Sequence, residues 1–417
     1  MNHGPMASML RTTLTMILAG GQGERLYPLT RHRAKPSVPF GGIYRIIDFT
    51  LSNCVNSNLR RVYILTQYKS DSLNKHLRLG WNIFHEELDE FIATIPPQLR
   101  GSDHWYKGTA DAIFQNVYTL QAERPERVLI LAGDHIYRMD YGAMLQFHQD
   151  NEADLTVAAV EVDLAEAKGF GVMTIDDTNR ITAFAEKPSA PTARPNRPGR
   201  ALASMGVYVF TTDLLVRAIS ADARQRGSNH DFGRNIVPEM IRAKRRVFAY
   251  PFEEKGGTKP PYWRDVGTLD SLWEANMDLV SPDPPFDLYA PDWPLRTYLE
   301  PAPPARTIST LPGAGAPLGI IGDSLISNGC VISGVLVERS VLSPGVYVQN
   351  GAQISESVLM DRVVIGRQSR IRRAIIDKGV HIPDGYEIGY DLEEDRRKFM
   401  VTEKGIVIVP KDIILTQ

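Results

Sequence analysis

The sequence predicts an α/β domain built on a mostly parallel sheet, followed by a parallel β-helix. Three observations carry this expectation. Short β-rich runs alternate with amphipathic stretches from Thr13 to about Val280, a proline-crowded segment follows, and the last hundred residues repeat an aliphatic side chain every five to six positions. A chain of 417 residues also exceeds one ordinary core, which favours two domains.

Taken in order, residues 1–12 read as a flexible tail. The strand candidates are Leu14–Leu18, Val62–Leu65, Val128–Leu131, Leu155–Val162, Val172–Ile175, Ile181–Phe184, Ser204–Phe210 and Val247–Pro251. Several are continuous apolar runs, as expected where helices cover both faces of a sheet. Between them, Thr109 is placed to cap a helix in which Ile113, Val117 and Leu120 share a face. Pro188–Arg200, rich in Pro, Arg and Ser, reads as an exposed loop. A first domain over 13–280 is therefore expected to pass into a Pro-rich linker over 281–317.

From 318 to 417 the period changes. Apolar residues recur at Ile326, Ile332, Val337, Leu342, Val348, Ile354, Leu359, Ile365, Ile371, Ile376, Ile382 and Ile388, a mean step of about 5.6 residues, with glycines at the turns. Neither a helix nor a flat strand has this period. A β-helix with sides of roughly six residues does, each side sending one aliphatic residue into a stacked core. A sandwich of short hairpins is the alternative.

Composition excludes several function classes. Apolar residues make up 43%, charged residues 23%, and the net charge is −2, so neither a nucleic-acid nor a membrane partner is expected. Cys54 and Cys330 lack metal-ligand spacing and read as buried thiols of a reducing compartment. The run Leu14–Leu18 is too short for a signal peptide or a membrane span, and a cytoplasmic location is the expectation. Nine histidines include no His-x-x-x-His pattern, which argues against a transition-metal site on a helix.

The chemistry-bearing residues begin after the first strand candidate, at Leu18-Ala19-Gly20-Gly21-Gln22-Gly23-Glu24-Arg25-Leu26. Glycines let backbone N–H groups approach a phosphate, and Arg25 adds charge. The spacing is neither a dinucleotide fingerprint nor a Walker loop. Arg31, Arg33, Lys35 and Arg45 supply further basic charge downstream, and Asp134 ends a buried strand, where open α/β sheets place their ligands. Asp231-Phe232-Gly233 spells the kinase metal motif, but neither the kinase glycine loop nor its catalytic loop accompanies it.

The first of these motifs, with Ala34-Lys35-Pro36, resembles the signature of the sugar-1-phosphate nucleotidyltransferases. Further segments narrow the resemblance to the glucose-1-phosphate adenylyltransferase (ADP-glucose pyrophosphorylase) family, in its bacterial form. They include Arg45-Ile46-Ile47-Asp48-Phe49, Thr66-Gln67-Tyr68, Trp105 to Ala112, Leu131 to Tyr137, Glu186-Lys187-Pro188, Ser204-Met205-Gly206, His230 to Gly233 and Tyr262 to Thr268. The resemblance spans nearly the whole chain. It implies a Rossmann-like, GT-A-like mixed sheet with a C-terminal left-handed β-helix serving oligomerisation and regulation. The implied reaction transfers the adenylyl group of ATP to α-D-glucose 1-phosphate for glycogen synthesis.

The resemblance also distributes roles. Arg25, Lys35 and Asp134 would be catalytic, with Arg25 and Lys35 on the ATP phosphates, and Asp134 and Asp265 would hold Mg²⁺. ATP would meet Gly20, Gly21, Gly23, Gln67, Tyr106, Gly108 and Thr109; glucose 1-phosphate would meet Gly171, Glu186, Lys187, Ser204 and Asp231. A homotetramer is implied, with allosteric sugar-phosphate or nucleotide effectors near His32 and Arg33. Glu24 stands where the family commonly has Thr, and is expected to turn away from the phosphates. Three alternatives stay open: another base or sugar, a non-catalytic regulatory subunit, and a hexapeptide-repeat acyltransferase, whose base would have to be His381.

Overall fold

In the computed structural model the described residues are 4–98, 105–195, 197–252, 261–308 and 319–416. Residues 1–3 of the expected tail, 309–317 of the expected linker and the first and last residues of the expected β-helix lie outside them. The expected tail is otherwise a helix, α1 (Pro5–Arg11). Proline opens it, and Met9 and Leu10 turn inward to join a core with Ile17, Leu59 and Met144. Apolar burial, which a reading of one short polar-flanked segment underweights, orders it.

The catalytic half contains strands β1 (Thr13–Ala19), β2 (Pro39–Phe40), β3 (Tyr44–Arg45), β4 (Arg61–Thr66), β5 (Phe91–Ile95), β6 (Arg127–Ala132) and β7 (His135–Tyr137). They are followed by β8 (Leu155–Asp163), β9 (Gly171–Ile175), β10 (Ile181–Glu186), β11 (Arg200–Thr211), β12 (Val247–Pro251) and β13 (Trp263–Asp265). Helices α2 (Ile46–Asn56), α3 (Asp71–Gly80), α4 (Thr109–Phe114), α5 (Val117–Glu123) and α6 (Tyr141–Asp150) intervene. Helices α7 (Thr212–Asp222), α8 (Val237–Arg242) and α9 (Leu269–Leu279) complete this half.

The main sheet runs β10-β9-β11-β6-β1-β4-β5, with β8 beside β11 and β12 beside β8. Strands β5, β4, β1 and β6 are parallel, but β11 runs against β6, β8 and β9, so the sheet is mixed, as the family resemblance implies, rather than mostly parallel, as the apolar runs alone suggest. A strand buried on both faces shows the same unbroken apolar run in either direction, which is why orientation is not readable from the sequence. Two clusters cover the faces, one around Ile17, Leu131 and Val209, the other around Met16, Ile130 and Phe210. Alternate residues of one strand feed opposite clusters, as the pleat requires.

Two register facts position the site. Leu18 pairs with Ala132, so β1 and β6 end level with each other and deliver Gly20–Arg25 and Asp134 side by side. Asp265 pairs with His135 in the antiparallel β13–β7 ribbon, which brings a residue distant in sequence next to Asp134.

The aliphatic repeat is a parallel β-helix. Ile332, Val348, Ile365 and Ile382 stack on one side; Val337, Ile354, Ile371 and Ile388 on the second; Leu342, Leu359 and Ile376 on the third. All eleven are buried, and only Ile326 of the predicted series is half-buried. The coils begin earlier than expected, because Arg306–Ile308 already pairs with Val331–Ser333. The preceding proline-rich segment is packed as well. Phe286 is buried, Trp293 Nε1 donates to Asn53 Oδ1 at 2.8 Å, and Thr297 Oγ1 donates to Asp48 Oδ2 at 2.7 Å. Proline stiffens such a strap but leaves its other side chains free to bury.

The two halves share a core. Phe40, Phe49, Leu272 and Trp273 pack with Val341, Val358, Ile375 and Ile408 of the β-helix. Trp273 Nε1 also donates to the Glu356 carbonyl at 2.8 Å. This third core makes the β-helix a wall of the catalytic half rather than a tethered module.

Candidate active site

The turn after β1 lines a cleft of about 470 Å³ with Gly21, Gln22, Gly23, Glu24, Arg25, Lys35, Pro36, Asp134 and Gly267. Gly23 adopts a left-handed conformation (φ +66°), and a Cβ there would sit 3.1 Å from Thr30 and 3.2 Å from Lys35. Gly21 has nothing within 4 Å of a notional Cβ, so its missing side chain faces open cleft. Gly20 makes room for Gln67, whose Cβ lies 3.0 Å from where a Cβ of Gly20 would be. Gln67 is buried, and its Nε2 has no partner among the described residues. Glu24 is exposed and stands at the cleft.

Lys35 and the two acids form the charged centre. Lys35 Nζ donates to Asp134 Oδ2 at 2.8 Å and to Asp265 Oδ1 at 3.0 Å. Burial disfavours the ammonium, but Asp134 and Asp265 outweigh it, and the lysine pKa is raised. Burial likewise opposes charge on Asp134, yet Lys35, His135 and Arg25 hold its carboxyl well below the usual range. The resemblance sets Lys35 on the phosphates beside Arg25; the structure sets it between the acids, because the short 3₁₀ turn Lys35–Ser37 buries its stem. Arg25 remains exposed on the cleft wall, with Nη2 3.0 Å from a notional Cβ on Gly267.

His135 is a member of the site that sequence reasoning missed. One ligand atom each from Asp134, His135 and Asp265 lie within 4.8 Å of one another, a grouping suited to a divalent cation. The only signal for His135 is its position next to Asp134, since the third member arrives through strand register. The His135 ring meets Trp263 edge-on at 5.2 Å, and Trp263 meets Phe170 at 5.0 Å. These rings lead from the acid pair to the second group of predicted residues.

That second group gathers where Gly171 starts β9, Glu186 ends β10, Ser204 stands at the register shift inside β11 and Asp231 caps the helical turn Phe232–Ile236. Gly171 has no room for a side chain, since a Cβ would lie 2.4 Å from Phe184 and 2.8 Å from Glu186 Oε2. Burial and the nearby Asp231 push the Glu186 pKa up. Lys187 is exposed, in a left-handed conformation (φ +49°), with Nζ 4.0 Å from Glu186 Oε1. Ser204 Oγ accepts from Gly206 N at 3.3 Å, and Gly206 places β11 against His135. Tyr208 and Phe232 pack beside this group with ring centroids 5.4 Å apart and planes tilted by 30°.

Three predicted nucleotide residues have other partners. Thr109 does not cap its helix: Gly108 holds that position, and Thr109 Oγ1 donates to Asp231 Oδ2 at 2.9 Å. Gly108 is required by packing, since a Cβ would meet the His230 carbonyl at 2.3 Å. The expected single helix is also two, α4 and α5, with Ile113 and Leu120 buried and Val117 partly so. Tyr106 is half-buried, and its hydroxyl accepts from Asn116 Nδ2 at 3.0 Å.

The expected regulatory pair divides. His32 is exposed and lies 3.5 Å from Asp412 near the C-terminus. Arg33 is buried, and its Nη2 donates to both oxygens of Asp377 at 2.8 Å. A basic run in sequence reveals charge but not which members the fold has already paired.

Comparison with known proteins identifies the family. Residues 14–281 match the profile of the nucleotidyl transferase family, and 303–409 match a GlmU-like C-terminal hexapeptide region. A Koribacter versatilis protein named glucose-1-phosphate adenylyltransferase is 50% identical over 97% of this chain and 96% of its own length. Vibrio cholerae has one named glucose-1-phosphate adenylyltransferase 2, 51% identical over 96% of this chain and 98% of its own. A Rhodopirellula baltica relative with the first name is 50% identical over 98% and 92%. Among the described residues, no helix is long and apolar enough to cross a membrane.

Proposed function

Because this chain belongs to the glucose-1-phosphate adenylyltransferase family, we propose that it joins ATP to α-D-glucose 1-phosphate, giving ADP-glucose and pyrophosphate for α-glucan (glycogen) synthesis. The observation that carries the reading is the convergence of the Gly20–Arg25 turn with the Asp134–Asp265 pair at the level ends of β1 and β6.

The phosphate of glucose 1-phosphate is anionic near neutral pH, so it needs no general base. One of its oxygens bonds to the α-phosphorus of ATP as the bond to the bridging oxygen breaks, and pyrophosphate leaves with that electron pair. The chain's part is positioning and charge neutralisation. Exposed Arg25 and the open face of Gly21 suit the triphosphate; Lys187, Glu186, Ser204 and Asp231 suit the sugar phosphate. The carboxylates of Asp134 and Asp265 already share one cation, Lys35, and fit a hard divalent ion. We read that ion as Mg²⁺; when bound, it would screen the triphosphate's charge.

A pyrophosphate-release assay offering ATP, CTP, GTP and UTP against several sugar 1-phosphates tests the reading. Turnover with ATP and glucose 1-phosphate alone supports it; preference for another base or sugar, or none at all, overturns it. Lys187→Ala should weaken glucose 1-phosphate far more than ATP.

The same reading extends to assembly and control. A homotetramer joined through the β-helix is supported by exposed Ile320, Leu336 and Tyr347 on its outer surface. Control by sugar phosphates or nucleotides is part of the proposal, with exposed His32 at the domain junction as its surface candidate. A cytoplasmic setting fits two free, buried cysteines.

A further inference from the structure

Asp222, Ser228 and His230 form a hydrogen-bonded group away from the phosphate end of the cleft. Asp222 ends α7 and is buried; its Oδ1 accepts from Ser228 Oγ at 2.6 Å, and its Oδ2 meets His230 Nδ1 at 2.7 Å. These are the residue types of a hydrolase triad in the wrong order. The hydroxyl contacts the carboxylate, so the imidazole does not stand between them to take the serine proton.

What the group holds is the segment next to it. His230 has a left-handed backbone (φ +51°), a conformation unfavourable for a residue with a side chain unless its contacts offset the cost. In that conformation the His230 carbonyl accepts from Ala110 N at 2.8 Å and from Asp111 N at 3.2 Å. The carbonyls of Asn229 and His230 lie 2.4 and 2.3 Å from where a Cβ of Gly108 would be, so the two backbones touch. One residue on, Asp231 Oδ2 accepts from Thr109 Oγ1 at 2.9 Å, and the same hydroxyl accepts from Phe232 N at 3.0 Å. The strip carrying the sugar candidate Asp231 is thus fastened to the strip carrying the nucleotide candidates Gly108 and Thr109.

We propose that the Asp222–His230 pair is a positioning device that fixes these two strips in one register, so that the sugar and nucleotide subsites are set together. The proposal rests on the substrate assignment made under Proposed function. Neither Asp222 nor His230 need touch a substrate. If the imidazole is lost, the strained backbone relaxes, the carbonyl turns away from Ala110, and both strips move.

The test uses steady-state kinetics of the full chain with His230→Ala, His230→Asn, Asp222→Asn and Asp231→Ala. Asparagine tolerates the left-handed conformation, and its amide nitrogen can stand where Nδ1 does. His230→Ala should raise KM for ATP and for glucose 1-phosphate together, each by about tenfold, with a smaller change in kcat. His230→Asn should bring both back to within about threefold of the parent. Unchanged KM values, a shift in one substrate alone, or an asparagine variant as impaired as alanine would each overturn the proposal. Should His230→Ala fail to fold, Asp222→Asn carries the same expectation, and parental KM values for it would be equally fatal. Asp231→Ala separates the two levels. If it leaves the glucose 1-phosphate KM untouched, the substrate assignment fails; if it raises that KM while the His230 and Asp222 variants do not, only the positioning role fails.

Discussion

Arg33 Nη2 donates to both carboxylate oxygens of Asp377, 2.8 Å at each, in an ion pair with side-chain exposures of 5% and 1%. The pair joins the segment after the glycine turn to a corner of the β-helix more than three hundred residues away. Truncating one partner strands a charge where water cannot reach it. Asp377→Ala should therefore cost about 3–5 kcal/mol in chemical denaturation, while Arg33→Met with Asp377→Leu should cost far less. Equal losses in the single and double variants would show that the pair is not the cause.

Gly21 and Gly108 should answer alanine differently. Gly21→Ala adds a methyl to open cleft space, so thermal stability should hold while the ATP KM rises. Gly108→Ala drives a methyl to 2.3 Å from a backbone carbonyl, which cannot yield as a side-chain tip can. Melting temperature and activity should both fall, by about 1–3 kcal/mol in stability. A Gly21 variant that loses stability but keeps its KM would refute the contrast.

Glu186 ties stability to function in opposite directions. Burial first, then the neighbouring charge of Asp231, raise its pKa above the ordinary 4.5, so its ionised form opposes folding at neutral pH. That opposition is present above the raised folded value and fades as pH falls to the ordinary one. Glu186→Gln should consequently melt higher than the parent near neutral pH, with the difference closing in acid, while the glucose 1-phosphate KM climbs. A variant that melts lower at neutral pH would contradict this.

His148 predicts part of the acid limb. Its ring nitrogens meet Thr156 Oγ1 at 2.8 Å and Thr211 Oγ1 at 3.4 Å. Burial, with Arg127 and Arg246 nearby, lowers its pKa to about 3. The unfolded chain takes up a proton near 6.5 that the folded chain refuses, so stability is full above that pH and declines as pH falls towards about 3. The slope from this one group is about 1.4 kcal/mol per pH unit. His148→Asn should flatten the decline between those limits in urea titrations; an unchanged slope would remove His148 as its source.

Periodic features are the ones the amino-acid order makes legible. Every strand candidate of the catalytic half falls within an observed strand, and the 5.6-residue repeat marks the inward positions of the β-helix. The glycine turn and Asp134 are legible for a related reason, as both follow directly from the ends of apolar strands. Less readable are features set by partners. Thr109 has the residue type of a cap, but its hydroxyl is taken by Asp231. Pro301 to Pro304 look like a linker, yet the preceding Trp293 and Thr297 are fastened to Asn53 and Asp48.

By itself, then, the sequence determined which residues face inward, where the turns fall and which charges are available, because local steric preference and hydrophobic period act over a few neighbouring positions. Tertiary structure alone decided which charges meet. It put Lys35 between Asp134 and Asp265, gave His135 a place beside them, and removed Arg33 from solvent by pairing it with Asp377. Ion pairing and burial act through space, and the distances that govern them exist only once strand register has brought remote segments together.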